Sequence, residues 1–330
     1  MKSLHIARFI VIILCSLLFG CFTTGGKKNI MKFHKKINKV TKDDFKIYNS
    51  KGSITNFNDM VNAIKETEVV FIGEQHDDLA AHFVQLEVLK AMFNYYDKTG
   101  NNDNVVLSME MFEKDVQIII DEYLGDIIKE RHFMQCARTW PNYHFSYRPL
   151  IEFARENHIK VIAANAPRRY VNRVASYGKE SLKDLSPEAK SWIAPIPYKK
   201  ASFEYKKKFE KFQKQVESHK VTGHPKIKNS KMPKRNMPLL DHLLEAQSLW
   251  DASMAFSIAQ ELKANPNSHV INLNGNFHSE LKMGIPEHLL YYRPETSIIV
   301  ITIIPSKNFP EYDINYEGYG DYIIFTRKQT

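Results

Sequence analysis

The segment that decides the fold is residues 69–76, Val-Val-Phe-Ile-Gly-Glu-Gln-His. A second segment of the same form, Val-Ile-Asn-Leu-Asn-Gly-Asn-Phe-His, occupies residues 270–278. In each segment a run of β-forming residues is broken by a glycine, which predicts a buried strand that ends in a tight turn. Each glycine is followed three residues later by a histidine, His76 or His278. Because ligands of open α/β sheets lie just outside the carboxyl ends of the strands, we expect both imidazoles at one site.

Strands alternate with helices on either side of these segments. This alternation predicts an α/β fold, with a mostly parallel sheet flanked by helices and a smaller helical insert. The α/β body is predicted over residues 46–168 and 241–330, and the insert over 169–240. Beyond the two defining segments, further strands are predicted at 105–109, 160–164 and 297–304, and a last edge strand at 322–325. Helices are predicted at 57–66, 79–97, 114–134, 150–157 and 239–263.

The basic, mainly helical insert carries most of the excess positive charge. The chain has a formal net charge of +9, and thirteen lysines and arginines against three glutamates lie between residues 199 and 235. A charged segment on a nearly neutral body does not indicate a surface that binds nucleic acid, so we exclude that class of partner. The basic segment is either a solvated surface or a contact for an anionic ligand or for anionic lipid head groups.

The N-terminus has the form of an export signal. Residues 1–20 begin with positively charged residues, which are followed by an apolar run that is too short to span a bilayer. A small residue, Gly20, then precedes Cys21. Leu-Phe-Gly-Cys at 18–21 resembles the lipobox of bacterial lipoproteins, in which the cysteine is lipidated with fatty acids such as palmitate. We therefore expect a lipid anchor on Cys21 and a flexible tether over 21–45. The expected location is the bacterial cell envelope, at the outer membrane because no aspartate follows the cysteine.

Four polar side chains are predicted at strand ends of the same sheet: Glu74, His76, Glu110 and His278. Two imidazoles and two carboxylates can bind a divalent ion such as zinc, iron or manganese, so all four are candidate metal ligands. The same groups can carry out acid–base catalysis on a polarised substrate, which makes them candidate catalytic residues. The alternative is structural, with Glu74 and Glu110 capping the helices that follow them.

Other residues near the predicted strand ends have specific expected partners. Asp77 and Asp78 are expected to cap the helix that follows them, and His82 on that helix is expected to be a hydrogen-bonded core residue. Arg168 and Arg169 follow a strand, where they can bind the carboxylates or phosphates of a ligand or form a salt bridge with Asp251 or a glutamate. Asp251 lies on an apolar helix face, and if buried it needs an arginine or a site histidine as partner.

The insert is also rich in tyrosine and phenylalanine. A tyrosine phenolate can bind ferric haem iron, as it does in catalase. Tyr170, Tyr198 and Tyr205 are candidates for such a role, and the residues by themselves do not choose among the sixteen tyrosines of the chain.

An ordered series of short motifs resembles the ChaN-type haem-binding lipoproteins, which are relatives of the Tiki, TraB and erythromycin-esterase proteins. The resemblance covers about residues 65–305, and the order of the motifs is more specific than any one of them. The motifs lie at residues 73–78, 110–112, 147–150, 165–168, 247–255, 275–278 and 284–286.

The resemblance implies an α/β body with a smaller helical part, haem binding, and a role in haem or iron acquisition at the bacterial envelope. It further implies a homodimer and a contact with an outer-membrane haem or iron receptor. The residues expected to contact haem are Arg168, Arg169, His224 and a tyrosine, with Tyr170 as the first choice because it follows the two arginines. In the relatives, the Gly-x-x-His and Glu motifs are linked to metal-dependent or esterase chemistry. The alternative function is therefore a metal-dependent peptidase or esterase that uses the four residues at the strand ends.

Overall fold

The computed structural model describes residues 40–100, 104–221 and 239–328. The predicted export signal, most of the predicted tether, Cys21 and His224 lie outside the described residues. Within the described part, no helix is long and apolar enough to cross a membrane.

One eight-stranded sheet forms the centre of the described fold. Its strands are β1 Phe45–Asn49, β2 Ile54–Thr55, β3 Val69–Glu74, β4 Val105–Glu113, β5 Lys160–Asn165, β6 His269–Gly275, β7 Ile298–Ser306 and β8 Tyr322–Arg327. The strand order across the sheet is β2-β1-β8-β7-β3-β6-β4-β5. Every neighbouring pair from β8 to β5 is parallel, whereas β1 pairs antiparallel with β2 and β8. The structure thus confirms the predicted α/β class with a mostly parallel sheet.

The α-helices connect these strands, and several shorter 3-10 turns accompany them. The described helices are α1 Phe57–Ile64, α2 Leu79–Lys98, α3 Gln117–Leu124, α4 Glu130–Cys136, α5 Tyr143–Ser146, α6 Arg148–Glu156, α7 Arg168–Tyr177, α8 Pro187–Ser191, α9 Phe203–Val221, α10 Leu240–Ala264 and α11 Ile285–Tyr292. Helices α7, α8 and α9 belong to the segment that the sequence predicts as a helical insert.

The central strand β3 is buried on both faces because helices cover both sides of the sheet. All six of its residues are buried, as expected for a strand in the middle of a parallel sheet. Val70 and Ile72 pack in the core beneath α2 and α6, and Val69 and Phe71 pack in the opposite core beneath α7 and α10. Because side chains alternate between the faces of a strand, one continuous apolar run can supply both cores.

Three details differ from the sequence predictions. The single helix predicted at 114–134 is divided into a 3-10 turn, α3 and α4, and Asp126 in the break has a positive φ of 57°. Strand β8 is not an edge strand, because the N-terminal strand β1, which the sequence did not predict, pairs with its outer side. Residues 42–45, at the end of the predicted tether, form a 3-10 turn and the first residue of β1.

Candidate functional site

The carboxyl ends of three neighbouring strands bring the predicted site residues together. In the register of β3 with β6, Glu74 lies opposite Gly275. Strand β4 flanks β6 on the other side, with Met109 opposite Leu273, so Glu110 also lies near the end of β6. The short connections after β3 and β6 then place a histidine at the same edge of the sheet.

The first pair consists of Glu74, the last residue of β3, and His76. Nδ1 of His76 lies 2.7 Å from Oε1 of Glu74. The Glu74 carboxylate also accepts hydrogen bonds from the Tyr147 hydroxyl at 2.5 Å and the Gln85 amide at 2.6 Å. Nδ1 of His82 lies 3.1 Å from Oε2 of the same carboxylate. Glu74 is therefore buried but fully hydrogen-bonded, and the expectation that His82 is a hydrogen-bonded core residue is confirmed.

These contacts decide the charges of the first pair. Burial by itself raises the pKa of Glu74, but the imidazoles of His82 and His76 outweigh burial and hold this pKa far below its usual range. Burial by itself lowers the pKa of His76 and of His82. The Glu74 carboxylate has the larger effect and raises both pKa values above the ordinary value for histidine. The arrangement keeps Glu74 ionised and favours a proton on each neighbouring imidazole.

The second pair consists of His278, in the turn after β6, and Asp251 on α10. Nδ1 of His278 lies 2.5 Å from Oδ1 of Asp251, and the Tyr205 hydroxyl donates to Oδ2 of the same carboxylate at 2.5 Å. The Gln247 amide nitrogen lies 3.2 Å from Nδ1 of His278. On the other side of the ring, Nε2 lies 3.5 Å from Oε1 of Glu110. Asp251 is buried, and of the two partners expected for it, an arginine or a site histidine, the structure shows the histidine.

His278 is surrounded by more negative than positive groups. Burial by itself lowers the pKa of His278, but Glu110 on β4 and Asp251 on α10 raise it to about 9, with Lys208 on α9 acting in the opposite direction. The imidazole is therefore an imidazolium ion at neutral pH.

The two pairs meet at Gly275. The backbone N–H of Gly275 donates to Oε2 of Glu110 at 2.7 Å. A Cβ atom built on Gly275 would lie 3.1 Å from Nε2 of His76 and 3.7 Å from Oε2 of Glu110, so a side chain at this position would crowd the His76 ring. The side chain of His76 is 23% exposed, whereas those of Glu110 and His278 are 9% exposed, so solvent reaches the cluster beside His76.

The proposed helix-capping roles of the two glutamates are wrong. Glu74 binds side chains from three other parts of the chain, and Glu110 lies inside β4, which continues to Glu113 across an irregularity in its pairing with β5. Of the two aspartates predicted to cap α2, Asp77 and Asp78, the N-cap is Asp78, and its carboxylate accepts from the Ala80 N–H at 3.0 Å.

The structure gives the predicted divalent metal site no support. Among the described residues, no group of three or more histidine, cysteine, aspartate or glutamate side chains is arranged to hold a metal ion. The nitrogen and oxygen atoms of the cluster are instead engaged with one another and with tyrosine, glutamine and backbone donors, which are the bonds described above.

Arg169 and Tyr170 form a separate cluster at the start of α7. Arg169 forms an ion pair with Asp115 at 2.6 Å, rather than with Asp251. Its guanidinium lies over the rings of Tyr170, at 4.5 Å, and Trp192, at 5.3 Å. Arg168 is the first residue of the same helix and is half-buried.

The other two tyrosine candidates are engaged inside the protein. The Tyr198 hydroxyl donates to the backbone carbonyl of Glu245, and Tyr205 donates to Asp251. Tyr198 is 5% and Tyr205 is 1% exposed, so neither phenol is accessible to an external ligand in this conformation. Tyr170 is half-buried, and of the three it is the one with a ring at the surface.

Sequence reasoning missed the groups that hold the two pairs. Tyr147 and Gln85 support Glu74, and Trp140 packs edge-on against His76 with ring centroids 4.9 Å apart. Tyr147 falls within one of the motifs of the family resemblance, which was the available signal for it. For Tyr205, which was considered only as a haem ligand, no spacing in the sequence indicates a bond to Asp251.

Comparison with solved structures found several chains similar to this one. A ChaN of Campylobacter jejuni, described as binding haem cofacially, is 20% identical, with 87% of this chain and 98% of that chain covered and a TM-score of 0.61. A Bacillus cereus protein is 11% identical over 92% of this chain and 98% of that chain, with a TM-score of 0.41. The erythromycin esterase EreC in its open conformation is 12% identical over 86% of this chain and 83% of that chain, with a TM-score of 0.40.

No curated protein matched this sequence. A family model described as "Haem-binding uptake, Tiki superfamily, ChaN" matches residues 60–289, which is well over half of the chain and includes the carboxyl ends of β3, β4, β5 and β6. On this match, the chain is a member of the ChaN family of haem-binding uptake proteins in the Tiki superfamily.

Proposed function

We propose that this protein binds haem and serves haem or iron acquisition at the bacterial envelope. The observation that carries the proposal is membership of the haem-binding ChaN family over residues 60–289. The likeness in fold to a Campylobacter jejuni ChaN that binds haem cofacially is consistent with it.

The cluster at the start of α7 has the chemistry that a haem contact requires. Tyr170 is a possible axial ligand, because ferric haem iron accepts tyrosinate. The Arg169 guanidinium can pair with a haem propionate in a bidentate manner, in exchange for its present partner Asp115. Trp192, whose ring also lies near that guanidinium, adds an aromatic surface for a porphyrin. A bound haem would supply the iron that is transferred, and these residues would hold it.

Titration with hemin tests the proposal. We expect a shifted Soret band on wild-type protein, and at least a tenfold weaker affinity in Tyr170→Phe, since the loss of a ligand bond exceeds about 1.4 kcal/mol. Tyr177→Phe is a matched control, because Tyr177 lies on the same helix and is 71% exposed. Equal binding by both variants would remove the tyrosine assignment, and no Soret shift with wild-type protein would remove haem binding.

The anchoring and assembly of the protein are parts of the same proposal. A lipidated Cys21 would hold the α/β body at the outer membrane through the tether, where it could exchange haem with an outer-membrane receptor. Labelling with palmitate should mark wild-type protein and not Cys21→Ser, and the variant should leave the membrane fraction. Labelling of the Cys21→Ser chain would contradict the lipid anchor.

Two copies of the chain are proposed to share haem in a homodimer. Sedimentation of the haem-free and haem-loaded protein should show a dimer in the loaded sample, and Tyr170→Phe should weaken it at the same hemin concentration. A monomer under saturating hemin would contradict this assembly while leaving haem binding itself intact.

A further inference from the structure

Helix α9 has one face packed on the protein and one exposed face. On the packed face, Tyr205 and Phe209 are buried, and their ring centroids lie 5.6 and 6.3 Å from that of Phe277 in the turn after β6. Because an α-helix has 3.6 residues per turn, residues three, four and seven apart share a face. The opposite face of α9 therefore presents a set of exposed residues: Phe203, Lys207, Lys211 and Lys214.

Two neighbouring segments extend this exposed face. Nζ of Lys206 lies 3.3 Å from Oδ1 of Asp241 in the first turn of α10, beside the exposed Leu240. Just before α9 in the chain, Lys199 lies over Tyr291 on α11, with its Nζ 5.2 Å from the ring centre. We call the exposed face of α9, together with Lys199, Leu240 and Tyr291 at its borders, the basic–apolar patch.

The basic–apolar patch exposes large apolar side chains. Phe203 is 65% exposed, Tyr291 is 55% exposed and Leu240 is 42% exposed. With the adjacent Leu239, they make up four of the ten large hydrophobic residues that are exposed in the described part of the chain. Single exposed apolar residues are common on proteins, whereas a group of them on one surface indicates a contact with another molecule or a membrane.

Lysines accompany these apolar side chains. Nζ of Lys207 lies 4.2 Å from the ring centre of Phe203. Apart from the inward-facing Lys208, residues 199–214 carry six lysines against two glutamates. A lysine stem lies along apolar surface while its ammonium group stays in a polar layer, so this composition suits the boundary between an apolar medium and anionic groups.

We propose that the basic–apolar patch lies on the surface of a bilayer that contains anionic phospholipids, a contact separate from haem binding. The lysine ammonium groups pair with lipid phosphates, and the side chains of Phe203, Leu240 and Tyr291 enter the layer between head groups and acyl chains. The positive charge of the patch is complementary to such a membrane. A second copy of the chain would present the same lysines, and the like charges of the two faces would repel each other.

The proposed lipid anchor would keep the patch within reach of the membrane. Residues 21–39, which precede the first described residue, contain six lysines and no aspartate or glutamate. A stretch of this length spans at most about 65 Å when it is fully extended. Because such a tether raises the effective concentration of the patch at the bilayer, a weak contact is sufficient. The anchor would then hold the protein at the membrane, and the patch would orient the α/β body on it.

Cosedimentation with vesicles tests the proposal. The protein is the expected mature chain, residues 21–330, with Cys21→Ser, so that neither the export signal nor an acyl chain can hold it on a vesicle. The vesicles contain phosphatidylethanolamine and phosphatidylglycerol, and pure phosphatidylcholine vesicles, which carry no net charge, are the comparison. We expect binding to the anionic vesicles alone, and weaker binding when the salt concentration rises from about 0.1 M to about 0.5 M, because salt screens exposed charges.

The lysines are tested by a double variant with a control of equal charge. Lys207→Gln combined with Lys211→Gln should weaken binding to the anionic vesicles about 25-fold, at about fivefold for each lysine. Lys90→Gln combined with Lys98→Gln removes the same charge from α2, which covers the opposite face of the sheet from α10, and should leave binding unchanged.

The apolar contact is tested in the same way. Phe203→Ser should weaken binding at least about fivefold, because the aromatic ring no longer leaves water on binding. The control is Ile314→Ser, since Ile314 is 66% exposed, as Phe203 is 65%, but lies in the turn before β8. This variant should bind the vesicles as the unchanged protein does.

Each outcome decides the proposal. Salt-sensitive binding to anionic vesicles that falls in both patch variants and is retained in both controls supports it. Equal binding by patch and control variants, or equal binding to phosphatidylcholine vesicles, overturns it. A lipid-free dimer that Phe203→Ser converts to a monomer also overturns it, because a second copy would then occupy the patch. Thermal unfolding checks that the variants fold, and hemin titration of the same samples is a separate readout of haem binding.

Discussion

Replacement of Asp251 by asparagine removes the charge that holds His278 in its protonated form. The change is nearly isosteric, so the buried side chain can still accept a hydrogen bond from Tyr205 through its carbonyl oxygen. What is lost is the negative charge 2.5 Å from Nδ1 of His278. Burial by itself lowers the pKa of His278 and Glu110 raises it, so in Asp251→Asn these two opposed effects remain and the pKa falls from about 9 towards its ordinary value.

The size of the effect on stability follows from the same pKa. A rise from the ordinary value of 6.5 to about 9 corresponds to about 3 kcal/mol, at about 1.4 kcal/mol for each unit of pKa. Because the folded-state pKa is raised, this stabilisation is fully present below pH 6.5 and is lost as the pH rises through 9. Asp251→Asn should therefore unfold more easily than wild-type protein at neutral pH, and this difference should shrink above pH 9.

Two measurements on each protein check this prediction. The imidazole signals of His278, followed by NMR across the pH range, should titrate near 9 in wild-type protein and at least one unit lower in the variant. Urea unfolding at about pH 6 and about pH 9.5 should show a larger loss of stability in wild-type protein than in the variant. Asp241→Asn is the control, since Asp241 lies on the same helix but is exposed and pairs with Lys206.

A wild-type His278 that titrates near 6.5 would refute the reasoning, because the surrounding carboxylates would then be too weak to offset burial. An unchanged His278 titration in Asp251→Asn would refute it in a different way, since Glu110 alone would account for the raised pKa. A shift in Asp241→Asn equal to that in Asp251→Asn would show that the effect arises from the general charge of α10 and not from the buried contact.

Three further predictions follow from the contacts of the site. Tyr147→Phe leaves the buried Glu74 carboxylate without one donor and should lower the free energy of unfolding by about 1–3 kcal/mol in urea. Tyr143→Phe should be neutral or stabilising, because the buried Tyr143 hydroxyl has no hydrogen-bond partner among the described residues. Gly275→Ala places a Cβ 3.1 Å from Nε2 of His76 and should lower the free energy of unfolding by about 1–3 kcal/mol in urea, while far-UV circular dichroism stays unchanged because the φ of −63° at Gly275 suits alanine. Dialysis against a chelator should leave the unfolding temperature within error, and a fall of several degrees would reveal a structural metal ion.

The sequence determined the central strands and the location of the site. Two apolar runs that each end in Gly-x-x-His predict buried strands with a histidine after the carboxyl end, and β3 and β6 are adjacent and parallel in the sheet. Local residue types carry this information because the side-chain period of a strand and the conformational freedom of glycine act over a few residues. The meeting of His76, Glu110 and His278 followed from those rules.

The tertiary structure alone decided what the site residues bind. Tyr147 is 73 residues from Glu74, and Tyr205 is 46 residues from Asp251, so their hydrogen bonds depend on how α6 and α9 pack against the sheet. The same packing satisfies the carboxylates with protein donors, where the residue types by themselves had predicted a metal site. Amino-acid composition gives the donors and acceptors that are present, but only the folded chain decides which of them are already paired, because a buried polar group takes the nearest partner that packing brings to it.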